Sequence, residues 1–243
     1  MRKLKDLDIV YVVKDSAYNA ELRYSLRSVE KNFPHHRLWF YGGKPVGLHP
    51  DKQVVVKQEG DRKYDRVRNM LKMIAENNQI TEDFVLFNDD FFVMDKVEKL
   101  PYYAQGNLPE LCTRIEIRNQ YRPTPYTTEL KKTVAALASK YTHENFELHV
   151  PIIFNRRLLS EVLEEFPDNK GTRSLYANKL ICSGENDGSW FFPTKDVKIW
   201  EQDKIPKVSA GCPYLSTSDE SFANGLVGDF IRRQFPDKSR WER

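Results

Sequence analysis

Apolar and polar positions alternate between two periods over residues 1–95. Asp8 to Val13 is a short apolar run that predicts a strand, and Asn19 to Phe33 carries Leu22, Leu26, Val29 and Phe33 at helical spacing. Leu38 to Tyr41 is apolar again and stops at Gly42-Gly43, which completes a strand–helix–strand unit. Gln53 to Lys57 predicts a further strand. Asp65 to Asn78 then puts Val67, Met70, Leu71 and Ile74 on one helical face, and Phe84 to Phe87 closes a second unit. Strands that alternate with covering helices imply an α/β fold, a Rossmann-like, mostly parallel sheet flanked by helices.

After Met94 the pattern changes. Pro101, Pro109, Pro123 and Pro125 punctuate a stretch rich in Tyr, Arg and Asn, which predicts extended loops over a site, with a polar helix at 129–140. His149 to Phe154 predicts a strand, and Asn155 is placed to cap a helix bearing Leu158, Leu159, Val162, Leu163 and Phe166. Gly184-Glu185-Asn186-Asp187-Gly188 is an acidic loop. Thr217-Ser218-Asp219-Glu220 reads as a capping box opening one amphipathic helix through Phe222, Leu226, Val227, Phe230 and Ile231. Without repeats or low-complexity segments, residues 1–243 are expected to form one continuous domain.

Composition narrows the function classes. With 40% hydrophobic and 30% charged residues, the 243-residue chain can bury a full core, which argues against global disorder. A net charge of +3 favours anionic ligands but is far from a dedicated nucleic-acid coat. Cys112, Cys182 and Cys212 are odd in number and widely spaced, so neither a disulfide framework nor a zinc site is indicated. The charged start, Met1 to Asp6, has no signal-peptide core, and no apolar run is long enough to span a membrane. A cytoplasmic protein is expected.

Candidate chemistry centres on Asn88-Asp89-Asp90, set between the apolar runs Phe84–Phe87 and Phe91–Met94. Adjacent carboxylates repel, and burying either without a counter-charge is costly, so something cationic is expected there. At the carboxyl end of a strand in an open α/β sheet, such a pair suits a divalent cation and a phosphorylated ligand. The alternative is a solvated turn, since Asn-Asp is common turn chemistry. Val13, at the end of the first strand, is a candidate to present backbone and an apolar edge to a base. Arg66 and Asn69 open the helix before the acidic strand and are candidates for holding phosphates. His149, Glu185 and Asp187 are candidates to face an acceptor, provided the fold brings them together. Arg114, Arg118, Tyr121, Arg122 and Tyr126 combine planar rings with guanidinium groups that suit stacking on a sugar or a base.

Three segments, Leu7 to Val13, Asn19 to Asn32 and Leu86 to Phe92, resemble the first two conserved regions of the Stealth family. Its members are sugar-phosphate transferases of bacterial capsule synthesis, related to the lysosomal-enzyme N-acetylglucosamine phosphotransferase. His149-Val150-Pro151 and Arg173-Ser174 are loosely similar to the third region, whereas Val13-Lys14-Asp15 replaces the aromatic ending of the first. The Arg-Asn helix before an acidic strand end is also similar to the wider GT-A glycosyltransferase fold, and Leu215 through Trp241 looks like bacteriophage-encoded sequence. The GT-A resemblance implies Mn2+ or Mg2+ on Asp90, with Asp89 on the sugar or behind the metal, and a nucleotide-sugar donor, a UDP-sugar by expectation. Residues 1–95 would then form the nucleotide-sugar-binding half and 96–243 the acceptor-side half. The acceptor would be a saccharide or, by the phage likeness, a hydroxymethylated pyrimidine in DNA, within a bacterial host cell. Sugar-1-phosphate transfer to a saccharide and non-catalytic nucleotide or DNA binding remain the alternatives.

Overall fold

The computed structural model of the chain describes residues 3–58, 63–184, 191–208 and 211–243. Its elements run β1 (Asp8–Val13), α1 (Ala20–Asn32), β2 (Leu38–Gly42), β3 (Lys52–Val55), α2 (Lys63–Glu76), β4 (Asp83–Asn88), β5 (Phe91–Val93) and β6 (Tyr102–Ala104). They continue with α3 (Leu108–Arg118), α4 (Pro125–Leu137), β7 (Ile152–Asn155), α5 (Arg156–Glu165), α6 (Thr172–Cys182), β8 (Phe191–Pro193), β9 (Lys198–Ile199), β10 (Tyr214–Thr217), α7 (Asp219–Asn224) and α8 (Leu226–Gln234).

The main sheet has the order β3-β2-β1-β4-β7. Its first four strands are parallel, as the alternating pattern implied, and β7 closes the edge antiparallel to β4. All six residues of β1 are buried, which is why it reads as an unbroken apolar run: helices cover both faces of a central parallel strand. Its one charged residue, Asp8, is satisfied by the Arg37 guanidinium, at 3.0 and 2.8 Å, and by Trp39 Nε1 at 2.9 Å. Gly42 closes β2 at φ +114°, with the site of a Cβ 2.2 Å from the Val13 carbonyl, so only glycine fits where this turn meets the end of β1. Strand order reverses between β1 and β4, the switch point beside which open α/β sheets bind ligands.

A smaller sheet, β5-β10-β9, leans on this layer. A second apolar cluster of Phe92, Ile199, Leu215, Phe222, Val227, Ile231 and Phe235 fills the space between it and the α7–α8 pair, with the Phe92 and Phe222 rings stacked at 5.7 Å.

Three expectations change after Met94. The proline-punctuated stretch is largely helical, because Pro109 and Pro125 stand in the first turns of α3 and α4, where a missing N–H costs nothing. The predicted 129–140 helix is therefore α4, four residues earlier. The predicted 149–154 strand begins only at Ile152, after Pro151, although Asn155 caps α5 as expected by accepting from Leu158 N–H. The C-terminal amphipathic helix is two helices broken at Gly225, and its box pairs Ser218 with Ser221 instead of Thr217 with Glu220.

Candidate functional site

Asp89 and Asp90 occupy the tight turn from β4 to β5, at the carboxyl edge of the sheet and beside the switch point. The turn, the alternative reading of the sequence, is what the structure shows, and it stands at the carboxyl edge of the sheet. The expected counter-charge is Lys198 on β9. Its Nζ lies 2.8 Å from Asp90 Oδ2, with only 10% and 14% of the two side chains exposed. Ser216 on β10 donates to the same oxygen at 3.1 Å. Asp89 accepts from Asn19 Nδ2 at 2.7 Å, while Asn19 Oδ1 caps α1 by accepting from Leu22 N–H. The positive end of α1 is thereby aimed at the acidic pair.

Glu21, in the first turn of α1, is buried just behind the aspartates. Thr217 Oγ1 donates to Glu21 Oε1 at 2.5 Å. Burial, the hydrogen bond to Asp219 and the charges of Asp90 and Asp89 outweigh that donation and push the Glu21 carboxyl up to about 8. The proton that Glu21 keeps at neutral pH bonds to Asp219, and this bond together with Lys14, 3.2 Å away, holds Asp219 below the usual aspartate range.

On the other flank stands His149. Because β7 runs antiparallel to β4, the residues leading into it lie at the same edge as the carboxyl end of β4. His149 Nδ1 is 2.9 Å from Asp196 Oδ2, and the His149 backbone N–H donates to Oδ1 at 3.1 Å. Burial would raise the Asp196 carboxyl, but the His149 contacts hold it below its ordinary value. The His149 ring meets Trp200 edge-on, and Lys198 Nζ lies 4.6 Å above the same indole, so one continuous strip joins His149 to Asp90. Arg173, on α6, donates to the Val150 carbonyl at 2.6 Å and covers the Phe91 ring. Its Nη2 is buried and, among the described residues, has no hydrogen-bond partner. Burial lowers its pKa against the charges of Glu147, Asp90 and Asp196, which places a half-buried guanidinium among the site's carboxylates.

The other sequence candidates are placed less centrally. Val13 is fully buried, and its carbonyl already accepts from Gly43 N–H and from Gln58 Nε2. Asn88 pairs with Val12 in the ladder and is half-buried. Arg66 is half-buried and Asn69 exposed near the start of α2. That start is near the site, because the Tyr64 hydroxyl, raised chiefly by burial, also feels the charge of Glu147. Tyr126 is raised in the same way and feels Glu147 and Asp196, whereas Arg114, Arg118, Tyr121 and Arg122 are exposed on α3 and the turn after it. Glu185 and Asp187 lie outside the described residues. Sequence reasoning missed Lys198, Asp196, Ser216 and Trp200. Its only hint was the demand for a cation at the acidic pair.

No family model matches the chain, and no curated protein matches it. Among solved structures it is similar to the galactosyltransferase LgtC in complex with donor and acceptor sugar analogs, with a TM-score of 0.51 over 96% of each chain at 13% identity. The architecture is therefore the GT-A one expected, a mixed α/β fold with a mostly parallel central sheet flanked by helices. Among the described residues no helix is long and apolar enough to cross a membrane.

Proposed function

We propose that the chain is a metal-dependent glycosyltransferase that moves a sugar from a nucleotide sugar, a UDP-sugar by preference, to a hydroxyl of an acceptor saccharide. The observation that carries this reading is the Asp89–Asp90 pair at the switch point of a GT-A sheet, with positive charge already drawn to Asp90. Among the described residues no group of three or more His, Cys, Asp or Glu side chains could hold a metal alone. A pair is nonetheless the donor set that Mg2+ or Mn2+ uses when ligand phosphates complete the shell. Asp90, with Asp89, would hold the ion, and the ion would supply charge neutralisation at the leaving diphosphate.

The chain's own groups divide the remaining work. The start of α1, fixed by the Asn19 bridge between Leu22 N–H and Asp89, favours an anion at this edge. Lys198 and Arg173 bring two further cations to it, and the unpartnered Arg173 Nη2 can donate to a phosphate oxygen. Asp196 holds the His149 proton on Nδ1, which leaves the Nε2 lone pair to take the proton of the acceptor hydroxyl.

Incubation with a panel of nucleotide sugars and Mn2+ tests the reading through slow donor hydrolysis. Parent protein should release nucleoside diphosphate, and Asp90→Asn should not. Hydrolysis that ignores both chelation and Asp90→Asn would reject the assignment. A second reading is transfer of the intact sugar phosphate. It is favoured by the two cations beside the carboxylates, which suit charge on a transferring phosphoryl group. Release of nucleoside monophosphate in place of diphosphate would select it.

A further inference from the structure

We propose that the cavity beside β8, β9 and β10 is an acceptor subsite for an anionic saccharide, one bearing a phosphate or carboxylate group. This rests on the glycosyl-transfer reading and specifies its acceptor. The cavity measures about 840 Å³, and its lining contains Lys195, Lys198, Lys204 and Lys207 against a single carboxylate, Asp196. Asp196 is engaged by His149 and Lys198 by Asp90. Lys204 has only a long contact, 3.7 Å, to Glu201. Among the described residues neither Lys195 nor Lys207 has an ion-pair partner, so the wall presents uncompensated positive charge. The same wall offers apolar surface from the half-exposed Phe192 ring and from Ile205, which is 72% exposed.

A second feature points to a bound polar group. Tyr214 lines the cavity, is 1% exposed, and among the described residues its hydroxyl has no hydrogen-bond partner. Buried polar groups left unpaired in a folded protein call for an explanation, and a ligand oxygen supplies one. Lys198 and Asp196 connect the cavity directly to Asp90 and His149, so a molecule seated there has its hydroxyls beside the proposed base. The volume is that of a small-molecule site, enough for one or two sugar rings and too small for a duplex. Charged rings are therefore favoured over a DNA acceptor.

The test uses the full chain and three matched probes: cellobiose, cellobiouronic acid and cellobiose 6-phosphate, titrated by NMR. Both anionic probes should bind about tenfold or more tighter than cellobiose, as charge-assisted hydrogen bonds allow. Whichever is tighter identifies phosphate or carboxylate as the recognised group. Lys195→Gln, Lys207→Gln and Tyr214→Phe should each weaken anionic binding roughly three- to tenfold. The same variants should leave acceptor-free donor hydrolysis unchanged. Lysine-dependent binding without donor hydrolysis would uphold the subsite while rejecting the donor reading. Equal binding of all three probes, or anionic affinity unmoved in all three variants, would overturn the subsite. So would transfer to a 5-hydroxymethylcytosine duplex that these lysines support.

Discussion

Lys198 and Asp90 each lose most of their hydration on folding, and each is the other's buried counter-charge at 2.8 Å. Removing one partner strands the other. Asp90→Ala is expected to cost about 3 kcal/mol of stability as well as donor binding, and adding Lys198→Met should restore most of the stability but none of the binding. Urea denaturation of the parent, both single variants and the double variant measures the coupling, and additive losses would show that the pair matters little to the fold. Asp196→Asn keeps a side chain of the same size against His149 but removes the acceptor charge that holds the Nδ1 proton. Transfer should fall by a factor on the order of 10² or more while donor affinity, measured separately, stays near the parent value. An equal fall in both would make Asp196 a structural residue. The acidic pair was legible because its neighbours in the chain are strongly apolar. Its cation was not, because Lys198 stands 108 residues further on and Asp196 stands 47 from His149, distances that only the sheet pairing closes.

Among the elements, α1 and the β10–α7 junction are joined through Glu21, which sits between Thr217 and Asp219. Folding raises the Glu21 carboxyl from 4.5 to about 8, chiefly by burial. A raised carboxyl binds its proton more tightly folded than unfolded. Its contribution is therefore complete below pH 4.5 and fades as pH rises towards 8, with a slope of up to about 1.4 kcal/mol per unit. Glu21→Gln mimics the protonated form, accepting from Thr217 and donating to Asp219. It should flatten that slope and gain most over the parent near pH 8, as read by denaturation at pH 5 through 8; a variant with the parent's slope would mean that Glu21 titrates normally. The elements themselves were legible as far as β4, where the two periods alternate cleanly. Beyond it, short strands such as β9, Lys198–Ile199, are too brief to show a period, and prolines in the first turns of α3 and α4 read as breaks although they suit helix starts.

Across the whole molecule, the C-terminal residues fasten onto α1 through one carboxylate. Glu242 accepts from Arg27 Nε at 2.7 Å, from Arg23 Nη1 at 2.9 Å and from Ser239 N–H at 2.9 Å, and 1% of its side chain is exposed. Burial would raise this carboxyl, yet the Arg27, Ser239 and Arg23 hydrogen bonds bring it down to about 2. The sign is opposite to that of Glu21. A depressed carboxyl contributes fully above 4.5, and its contribution is lost as pH falls towards 2, for a total of about 3 kcal/mol. Glu242→Gln should therefore be less stable than the parent at pH 7, by about 2 to 3 kcal/mol with Arg27 left half-satisfied, and the gap should narrow steadily below pH 4.5. The combined contribution of these two groups is greatest near pH 4.5, with Glu242 acting on the acid limb and Glu21 on the basic one. Urea titrations of the parent, Glu21→Gln and Glu242→Gln from pH 2.5 to 8 separate the limbs. If each substitution flattens only its own side, both assignments stand; if Glu242→Gln leaves the acid limb intact, the C-terminal clasp is not held by this carboxylate.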